Sequence, residues 1–160
     1  MDPDEFFDAL NRVLPYIGLY DSGMTIDAQS RISVPKHLRT IIIRRSQAIK
    51  ETYGIEPLLY IDVASGDTED MSEEGSSGTK LLIPHIIATD IPCSLKRPLN
   101  PSDEYLAAHE LDTQGRVTLG ERVRESAGLV EKVICVGAVN HFRIYDMGKW
   151  QEYMRSQKST

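Results

Sequence analysis

Two arginines in this chain each follow an aspartate by four positions, and these pairs are well suited to binding an anion. Asp27 precedes Arg31, and Asp112 precedes Arg116. A guanidinium group is a planar fork of N–H donors that matches a phosphate, or the O6 and N7 atoms of guanine. The aspartate can organise a turn and can also pair with its arginine. The spacing therefore predicts either arginines that contact DNA or local salt bridges within two turns.

The two pairs belong to a longer repeat with a constant offset. The offset is 85 residues at both positions, because 112 − 27 = 85 and 116 − 31 = 85. Two copies predict a pseudo-twofold unit, since stacked arrays usually need three or more. Residues 27–31 are named turn 1 here, and residues 112–116 are named turn 2. Apolar residues pair at the same offset: Ile26 with Leu111, Ile32 with Val117, Val34 with Leu119, and Leu38 with Val123.

Further basic residues follow each turn and are candidate DNA contacts. They are Lys36 and Arg39 in the first copy, and Arg122 and Arg124 in the second. The position of Lys36 is taken by Glu121 in the second copy. The first copy is therefore expected to contribute more of the contact with DNA.

The charge of the chain is unevenly distributed. The net charge of −6 argues weakly against a nucleic-acid partner. Residues 24–50, however, carry 6 − 1 = +5, whereas residues 51–80 carry 1 − 8 = −7. A local basic patch, rather than net charge, governs contact with a polyanion. Arg44 and Arg45 contribute to that patch, although they fit a solvated helix face equally well.

The fourth position of each turn distinguishes the two copies. Turn 2 has Asp112 first and Gly115 fourth, which predicts a type I turn whose last residue adopts a positive φ. Ser30 takes the glycine position in turn 1, so that turn is predicted to be strained or of another type. In both copies the aspartate, Asp27 or Asp112, is predicted to organise the turn by accepting backbone N–H groups.

Periodicity, caps and breakers predict the elements that position these turns. Each turn leads through a strand into a helix. The first of these helices extends to about Lys50, and the second, opened by a capping box of Thr118 and Glu121, ends near Gly128. Further helices are predicted at 4–14, capped by Asp4, and at 148–155. The predicted strands lie at 16–20, 24–26, 31–34, 58–63, 80–83, 133–136 and 142–145.

This order of elements predicts a mainly β fold with short helices, of the α+β class. The chain divides into an N-terminal helical extension (1–15), a first repeat (16–87), a connector (88–104) and a second repeat with a C-terminal helix (105–160). Within the first repeat, residues 64–79 are acidic and rich in serine and glycine, which predicts a mobile insert. The insert is either a solvated loop or a segment that competes with DNA for the basic face.

Composition and missing motifs exclude several classes of protein. A hydrophobic content of 41% and a charged content of 26% are typical of a soluble globular protein. The N-terminus lacks a secretory signal, and Cys93 and Cys135 are too few for a disulfide scaffold, which together predict a cytoplasmic location. Histidines and cysteines show no metal-ligand spacing, and no glycine loop cradles a phosphate. We therefore expect no metal, no cofactor, no membrane partner, no small-molecule substrate and no catalytic residue.

Several segments resemble a known family. They are Leu111-Asp112-Thr113-Gln114-Gly115-Arg116-Val117, the following Leu-x-Glu-x-Val-Arg-x-x-Ala-Gly-Leu, then Val133-Ile134-Cys135-Val136-Gly137, and Phe142-Arg143-Ile144-Tyr145-Asp146-x-x-Lys149-Trp150-x-x-Tyr153. These segments resemble the second half of the bacterial MraZ proteins, within the SpoVT-AbrB group of DNA-binding folds. The resemblance covers about residues 107–153. It extends to residues 16–45 through Asp27-x-x-x-Arg31 and Val34-Pro35.

The resemblance implies a fold and a function. It implies two intertwined β-α-β-β halves in a swapped-hairpin barrel, and ring-like homo-oligomers that bind direct repeats in double-stranded promoter DNA. It further implies regulation of a cell-division and cell-wall gene cluster by a nucleoid-associated protein. The chain departs from the family pattern in its N-terminal helix, in its acidic insert, and in lacking an aromatic-rich helix after Ile83.

A second interpretation belongs to another class. The chain could be an AbrB-like oligomerisation or protein-interaction module, antitoxin-like or scaffolding, with weak DNA binding. Overall acidity, the acidic insert and Ser30 in the glycine position favour it.

Overall fold

Four helices and eight strands lie in the part of the chain that the structure describes. This computed structural model describes residues 2–20, 24–56, 58–64, 83–91, 107–109, 111–112 and 114–158. The predicted acidic insert, apart from Ala64, and residues 92–104 of the predicted connector lie outside these ranges. In chain order the elements are α1 (Pro3–Val13), β1 (Leu19–Tyr20), β2 (Arg31–Ser33), α2 (Lys36–Tyr53), β3 (Leu59–Ala64), β4 (His85–Thr89), β5 (Ala107–His109), β6 (Arg116–Thr118), α3 (Glu121–Ala127), β7 (Val133–Gly137), β8 (Phe142–Asp146) and α4 (Met147–Lys158).

The strands form two antiparallel sheets, which together with the helices confirm the α+β class. Six strands pair in the order β1-β7-β8-β4-β3-β5, and β2 pairs with β6 in a separate two-stranded ribbon. The predicted closed barrel is not formed by the described residues, because the edge strands β1 and β5 do not pair with each other. Instead the ribbon packs across one face of the larger sheet.

The halves of the chain exchange strands. β1, from the first half, pairs with β7, and β5 from the second half pairs with β3. The same exchange continues at the backbone, where the Val133 N–H donates to the Met24 carbonyl at 3.1 Å. The hairpins β3–β4 and β7–β8 are therefore each extended by a strand from the other half.

The core lies between the ribbon and the six-stranded sheet. Strand residues alternate between faces, so Ile32 and Val117, which are register partners in the ribbon, both point inward and are 1% and 5% exposed. Leu38 of α2 and Val123 of α3 pack into the same cluster. These residues are equivalent in the two copies, and their burial explains the apolar matches at the repeat offset.

The helices α2 and α3 begin alike and end differently. α3 has 7 residues and ends where Gly128 adopts the left-handed conformation, with φ 71°. The equivalent position in the first copy is Ile43, which continues the helix, so α2 extends over 18 residues to Gly54, at φ 69°. The additional length of α2 supports a second small core, formed by Phe7, Leu10, Ile49 and Ile91.

A buried ion pair fixes α1 and α2 to the end of β4. Arg45 is 0% exposed, and its Nε and Nη2 donate to the Asp90 carboxylate at 2.7 and 3.1 Å. Nη1 donates to the Leu14 carbonyl at 3.0 Å, and the Tyr16 hydroxyl donates to Asp90 at 2.9 Å. Burial alone lowers the pKa of Arg45, but hydrogen bonds and charge from Asp90 outweigh burial and raise that pKa. The prediction of a solvated face at Arg45 was wrong, whereas Arg44 is exposed.

Several predicted boundaries and caps were also wrong. α1 is capped by Asp2, whose carboxylate accepts from the Asp4 and Glu5 amides, and not by Asp4. No side chain caps α3, because its N-cap is Gly120. The second strand of the first hairpin was placed too early: it is His85–Thr89, whereas residues 80–82 lie outside the described part. None of the helices described here is long and apolar enough to span a bilayer.

Candidate nucleic-acid interface

Turn 1 is organised by the Asp27 carboxylate. Oδ1 of Asp27 accepts the amides of Gln29 and Arg31, both at 2.9 Å. The Ser30 amide donates to the Asp27 carbonyl at 3.0 Å, and the Asp27 amide donates to the Arg31 carbonyl at 3.0 Å. These bonds are those of a type I turn followed by a residue in the left-handed region, a common three-residue hairpin loop.

Turn 2 repeats this geometry. Oδ1 of Asp112 accepts the amides of Gln114 and Arg116 at 2.8 and 2.9 Å. The Gly115 amide donates to the Asp112 carbonyl at 3.0 Å, and the Asp112 amide donates to the Arg116 carbonyl at 2.9 Å. The hydrogen-bond distances in the two turns agree within 0.1 Å, so the repeat seen in the sequence is also a repeat of local structure.

The fourth residue of each turn adopts a positive φ. Gly115 has φ 78°, and Ser30 has φ 59°. The left-handed region is costly for residues that carry a Cβ, so turn 1 is strained rather than of another type. Ser30 is nonetheless buried, at 4% exposure.

Each aspartate also pairs with the side chain of its arginine. The Arg31 Nε donates to Asp27 Oδ2 at 2.9 Å, and the Arg116 Nε donates to Asp112 Oδ2 at 2.9 Å. The backbone amides of Arg31 and Arg116 have the largest effect and lower the pKa of the two carboxyls, while partial burial opposes this shift. Both carboxylates are therefore ionised at neutral pH, when they orient the arginines.

The structure places the two arginines on the same face of the ribbon. The register pairs Arg31 with Thr118 and Ser33 with Arg116, around the central pair of Ile32 and Val117. Arg31 and Arg116 are thus diagonal neighbours on the face opposite the core, roughly 7–8 Å apart between Cα atoms. Sequence alone predicted two arginines at equivalent bends, but it could not predict that the bends would be adjacent.

Both guanidinium groups retain donors. The side chains of Arg31 and Arg116 are 28% and 27% exposed. Their Nη1 and Nη2 groups make no hydrogen bond within the described residues, because each aspartate takes only Nε. A guanidinium carries five N–H donors, so four on each arginine have no hydrogen-bond partner within the described residues.

The other predicted DNA contacts fall into two groups. Lys36 and Arg122 lie in the first turns of α2 and α3 and are exposed. Arg39 and Arg124 occupy the fourth positions of these helices and are only partly exposed. They extend toward the turns, and each reaches the turn of the opposite copy.

The Arg124 side chain reaches turn 1, and all three of its nitrogen atoms donate hydrogen bonds. Its Nη1 donates to the Asp27 carbonyl at 3.0 Å and to Ser30 Oγ at 3.5 Å. Its Nε donates to the Leu129 carbonyl at 3.3 Å, and its Nη2 donates to the Val130 carbonyl. Four interactions thus join α3, turn 1 and the segment after α3.

Arg39 reaches turn 2 and is loosely bonded. Its Nη1 donates to the Gln114 carbonyl at 3.4 Å. Its side chain packs directly over Gly115, where an added Cβ would lie 2.4 Å from Nη1. Within the described residues this is the single hydrogen bond of the Arg39 side chain, so the guanidinium keeps most of its donors.

Sequence reasoning missed the buried role of Arg45. The residue lies at helical spacing in the apolar stripe Leu38, Ile42, Ile49, and that spacing was the available signal. Because Asp90 neutralises Arg45, the basic patch of the first copy has one cation fewer than the sequence count.

Two buried histidines lie on the six-stranded sheet, away from the turns. The His141 Nε2 accepts from Arg143 Nε at 3.1 Å, and its Nδ1 lies 2.7 Å from Asn140 Oδ1. Burial, then the charge of Arg143, lowers the pKa of His141 to about 4. Burial likewise lowers the pKa of His85. Both histidines are therefore neutral at pH 7.

Cys135 lies in the core, in the middle of β7. It is 1% exposed, and burial raises the pKa of its thiol to about 12. The thiolate, which is the nucleophilic form, is therefore not populated near neutral pH.

The fold and the site define a class of protein built from two equivalent halves that exchange strands and present paired Asp–Arg turns on one ribbon. The sequence model of a family described as "MraZ protein, putative antitoxin-like" matches residues 107–160. A relative from Parvibaculum lavamentivorans, named transcriptional regulator MraZ, is 30% identical over 128 residues, covering 80% of this chain and 74% of the relative. This chain belongs to the MraZ family.

More distant relatives with the same name match across most of both chains. The protein from Shewanella woodyi is 24% identical over 143 residues, covering 87% of this chain and 86% of its own length. The protein from Roseiflexus castenholzii is 27% identical over 139 residues, with the same coverage of 87% and 86%. The similarity therefore includes the first copy as well as the second.

Proposed function

We propose that this protein is a transcriptional regulator of the MraZ type that binds double-stranded DNA through the β2–β6 ribbon. The observation that carries this proposal is the placement of Arg31 and Arg116. Both are oriented by an ionised aspartate, both lie on one face, and both keep guanidinium donors that have no partner within the described residues. The names of the relatives, transcriptional regulator MraZ, agree with this reading.

The shape of the ribbon suits the major groove. The major groove of B-DNA admits a two-stranded β-ribbon, and arginine pairs bidentately with guanine O6 and N7. Ser33 and Thr118 occupy the same face and are exposed, so their hydroxyls can add contacts to bases or phosphates. Lys36 and Arg122, at the starts of the two helices, flank the ribbon and can neutralise phosphates.

We also propose the strand arrangement, the oligomeric state, the cellular location and the target promoter that the family resemblance implies. The strand exchange between β1 and β7, and between β5 and β3, supports a swapped-hairpin arrangement. We infer a homo-oligomer that engages successive promoter repeats, where linked binding multiplies modest affinities, in the cytoplasm at the nucleoid. A promoter of a cell-division and cell-wall gene cluster is the proposed target.

One observation favours the second candidate, an AbrB-like interaction module with weak DNA binding. Arg124 donates three hydrogen bonds to backbone carbonyls and one to Ser30 Oγ, and Arg45 forms a buried ion pair with Asp90. Two cations of the predicted basic surface are thus committed internally in a chain of net charge −6.

A titration with labelled DNA tests the proposal. We expect Arg31→Ala and Arg116→Ala each to weaken binding to the promoter upstream of the protein's own gene by about 10- to 100-fold, the range for loss of a bidentate base contact. If an arginine contacts phosphate, the slope of log K against log salt also falls by about 0.9 for each lost contact. Fluorescence anisotropy at several salt concentrations measures both quantities.

Arg12→Ala is the matched control. Arg12 is exposed at the end of α1, so the substitution removes one positive charge at a position outside the ribbon. It should leave the affinity within about twofold. Equal losses in all three variants, or none in the ribbon variants, would overturn the proposal in favour of the interaction module. Size-exclusion profiles must match wild type, since a changed assembly would give the arginines a structural role.

A further inference from the structure

We propose that Arg39 and Arg124 are positioning residues, each of which braces the Asp–Arg turn of the opposite copy. This inference rests on the proposed function, because it explains how the turns are held ready for DNA. In this proposal Arg39 and Arg124 act by positioning the turns that carry Arg116 and Arg31, rather than by contacting DNA as part of a basic patch.

The crossed arrangement follows the repeat. Arg39 and Arg124 are equivalent, since 39 + 85 = 124, yet neither side chain makes a hydrogen bond to its own turn within the described residues. Arg124 bonds the first and fourth residues of turn 1, Asp27 and Ser30, whereas Arg39 bonds Gln114 and packs over Gly115 in turn 2. Each turn is therefore stabilised by hydrogen bonds to its own aspartate and by an arginine on the helix of the other copy.

Backbone hydrogen bonds also connect each turn to the other copy. The Leu119 amide donates to the Ser30 carbonyl at 2.8 Å, and the Val34 amide donates to the Gly115 carbonyl at 2.9 Å. These bonds connect each turn to the segment leading into the opposite helix. An arginine on that helix therefore fixes the turn relative to the helix, and with it the position of Arg31 or Arg116.

The two braces are unequal. Arg124 makes two hydrogen bonds to turn 1, at 3.0 and 3.5 Å, and its side chain is further fixed by the carbonyls of Leu129 and Val130, whereas Arg39 makes one hydrogen bond to turn 2, at 3.4 Å. Turn 1, which carries the strained Ser30, is therefore held firmly, and turn 2 is held loosely. Restricting a side chain before binding lowers the entropic cost of the complex, so Arg31 is the better prepared of the two DNA-facing arginines.

The bracing can be measured without DNA. The Nε–H of Arg31 and of Arg116 is hydrogen-bonded to an aspartate, and its exchange with solvent is observable by nitrogen-edited NMR. Arg124→Lys should speed exchange at Arg31 by about tenfold and leave Arg116 unchanged; a brace worth about 1.4 kcal/mol gives this factor. Arg39→Lys should affect Arg116 alone, and by less. Arg122→Lys, exposed on α3, is the control.

A variant that keeps every charge gives a second route. Ser30→Ala keeps the Cβ at position 30 and removes the hydroxyl that Arg124 Nη1 reaches at 3.5 Å, so it should speed exchange at Arg31 but not at Arg116. This variant keeps the test decisive if an Arg→Lys variant fails to fold. Equal effects at both turns, or none at either, would overturn the bracing.

A double-mutant cycle with promoter DNA then tests the functional consequence. Arg124→Lys should weaken binding by about tenfold in the wild-type background and by less than about twofold when Arg31 is already alanine, because coupled residues are non-additive. It should remain fully effective in the Arg116→Ala background. A general loss of stability would instead act alike in both backgrounds, and a direct DNA contact would be additive in both; either result would overturn the proposal.

The two proposals fail in distinguishable ways. If Arg31→Ala leaves DNA binding unchanged while the crossed pattern appears in the exchange rates, the proposed function is wrong and the bracing stands. If Arg31→Ala weakens binding but the exchange rates show no crossed pattern, the bracing is wrong and the DNA-binding function stands.

Discussion

At the scale of single residues, the aspartate and arginine of each turn do separate tasks. The carboxylate closes the turn by accepting two amides, and its second oxygen orients the arginine. Sequence spacing predicted both tasks, because they need only residues four apart. It could not predict the roles of Arg39 and Arg124, since their partners lie 75 and 97 residues away in the chain.

The fourth turn position provides a reciprocal test of backbone strain. Ser30→Gly should stabilise the protein by about 0.5–1 kcal/mol, because glycine has no Cβ to clash with the backbone at a positive φ. Gly115→Ser should destabilise it by about 1–2 kcal/mol, since it adds both strain and a Cβ against Arg39. Denaturant unfolding of both variants measures these changes.

Gly54→Ser serves as the control for conformation alone. Gly54 also has a positive φ, but no atom lies within 4 Å of its added Cβ. If Gly115→Ser costs no more than Gly54→Ser, the packing of Arg39 over Gly115 contributes nothing to stability.

At the scale of elements, the strongest tie in the first half is the buried pair of Arg45 and Asp90. It joins the end of α1, the middle of α2 and the end of β4. An arginine can occupy an apolar stripe here because Asp90, Leu14 and the face of Tyr16, 4.6 Å from the guanidinium carbon, satisfy it on all sides.

Removal of one partner of that pair should be costly. Asp90→Asn should lower the free energy of unfolding by about 3–5 kcal/mol, because it leaves the Arg45 charge buried without a counter-ion. Arg44→Met, at an exposed neighbouring position, should change stability by less than about 0.5 kcal/mol. Thermal unfolding followed by circular dichroism compares them. Similar small shifts in both variants would contradict a buried, paired Arg45.

Local patterns predicted the elements better than their partners. The end of α3 at Gly128 and the hairpin of β7 and β8 follow from nearby residues, and these predictions were confirmed. The pairing of β2 with β6 joins residues about 85 positions apart, and nothing in either strand alone specifies it. The strand β4 lies at His85–Thr89, after Pro84, whereas the prediction placed it before that proline, at 80–83.

At the scale of the whole molecule, stability should depend on pH through buried histidine. The pKa of His141 is about 4 in the folded protein, whereas an unfolded histidine has a pKa of about 6.5. Between these values the unfolded state binds more protons, so stability falls as pH falls. His85, also with a lowered pKa, acts in the same direction.

We expect the free energy of unfolding to fall by about 1–3 kcal/mol between pH 7 and pH 4.5, measured by urea unfolding at each pH. The Asp27 and Asp112 carboxyls, whose pKa values are lowered, stay ionised across this window and add little. His141→Gln should flatten the dependence, whereas His37→Gln, exposed on α2, should not. An unchanged slope in His141→Gln would assign the dependence elsewhere.

The exchange of strands between the halves also sets an order of events during synthesis. β1 ends at Tyr20, but its register partner is Cys135, so 135 − 20 = 115 further residues must be translated before they can pair. At ribosomal rates of roughly 5–20 residues per second, the nascent first half waits about 6–23 seconds with an uncompleted sheet edge. Chaperone demand should therefore be highest before β7 leaves the exit tunnel, and should fall once the β7–β8 hairpin has emerged.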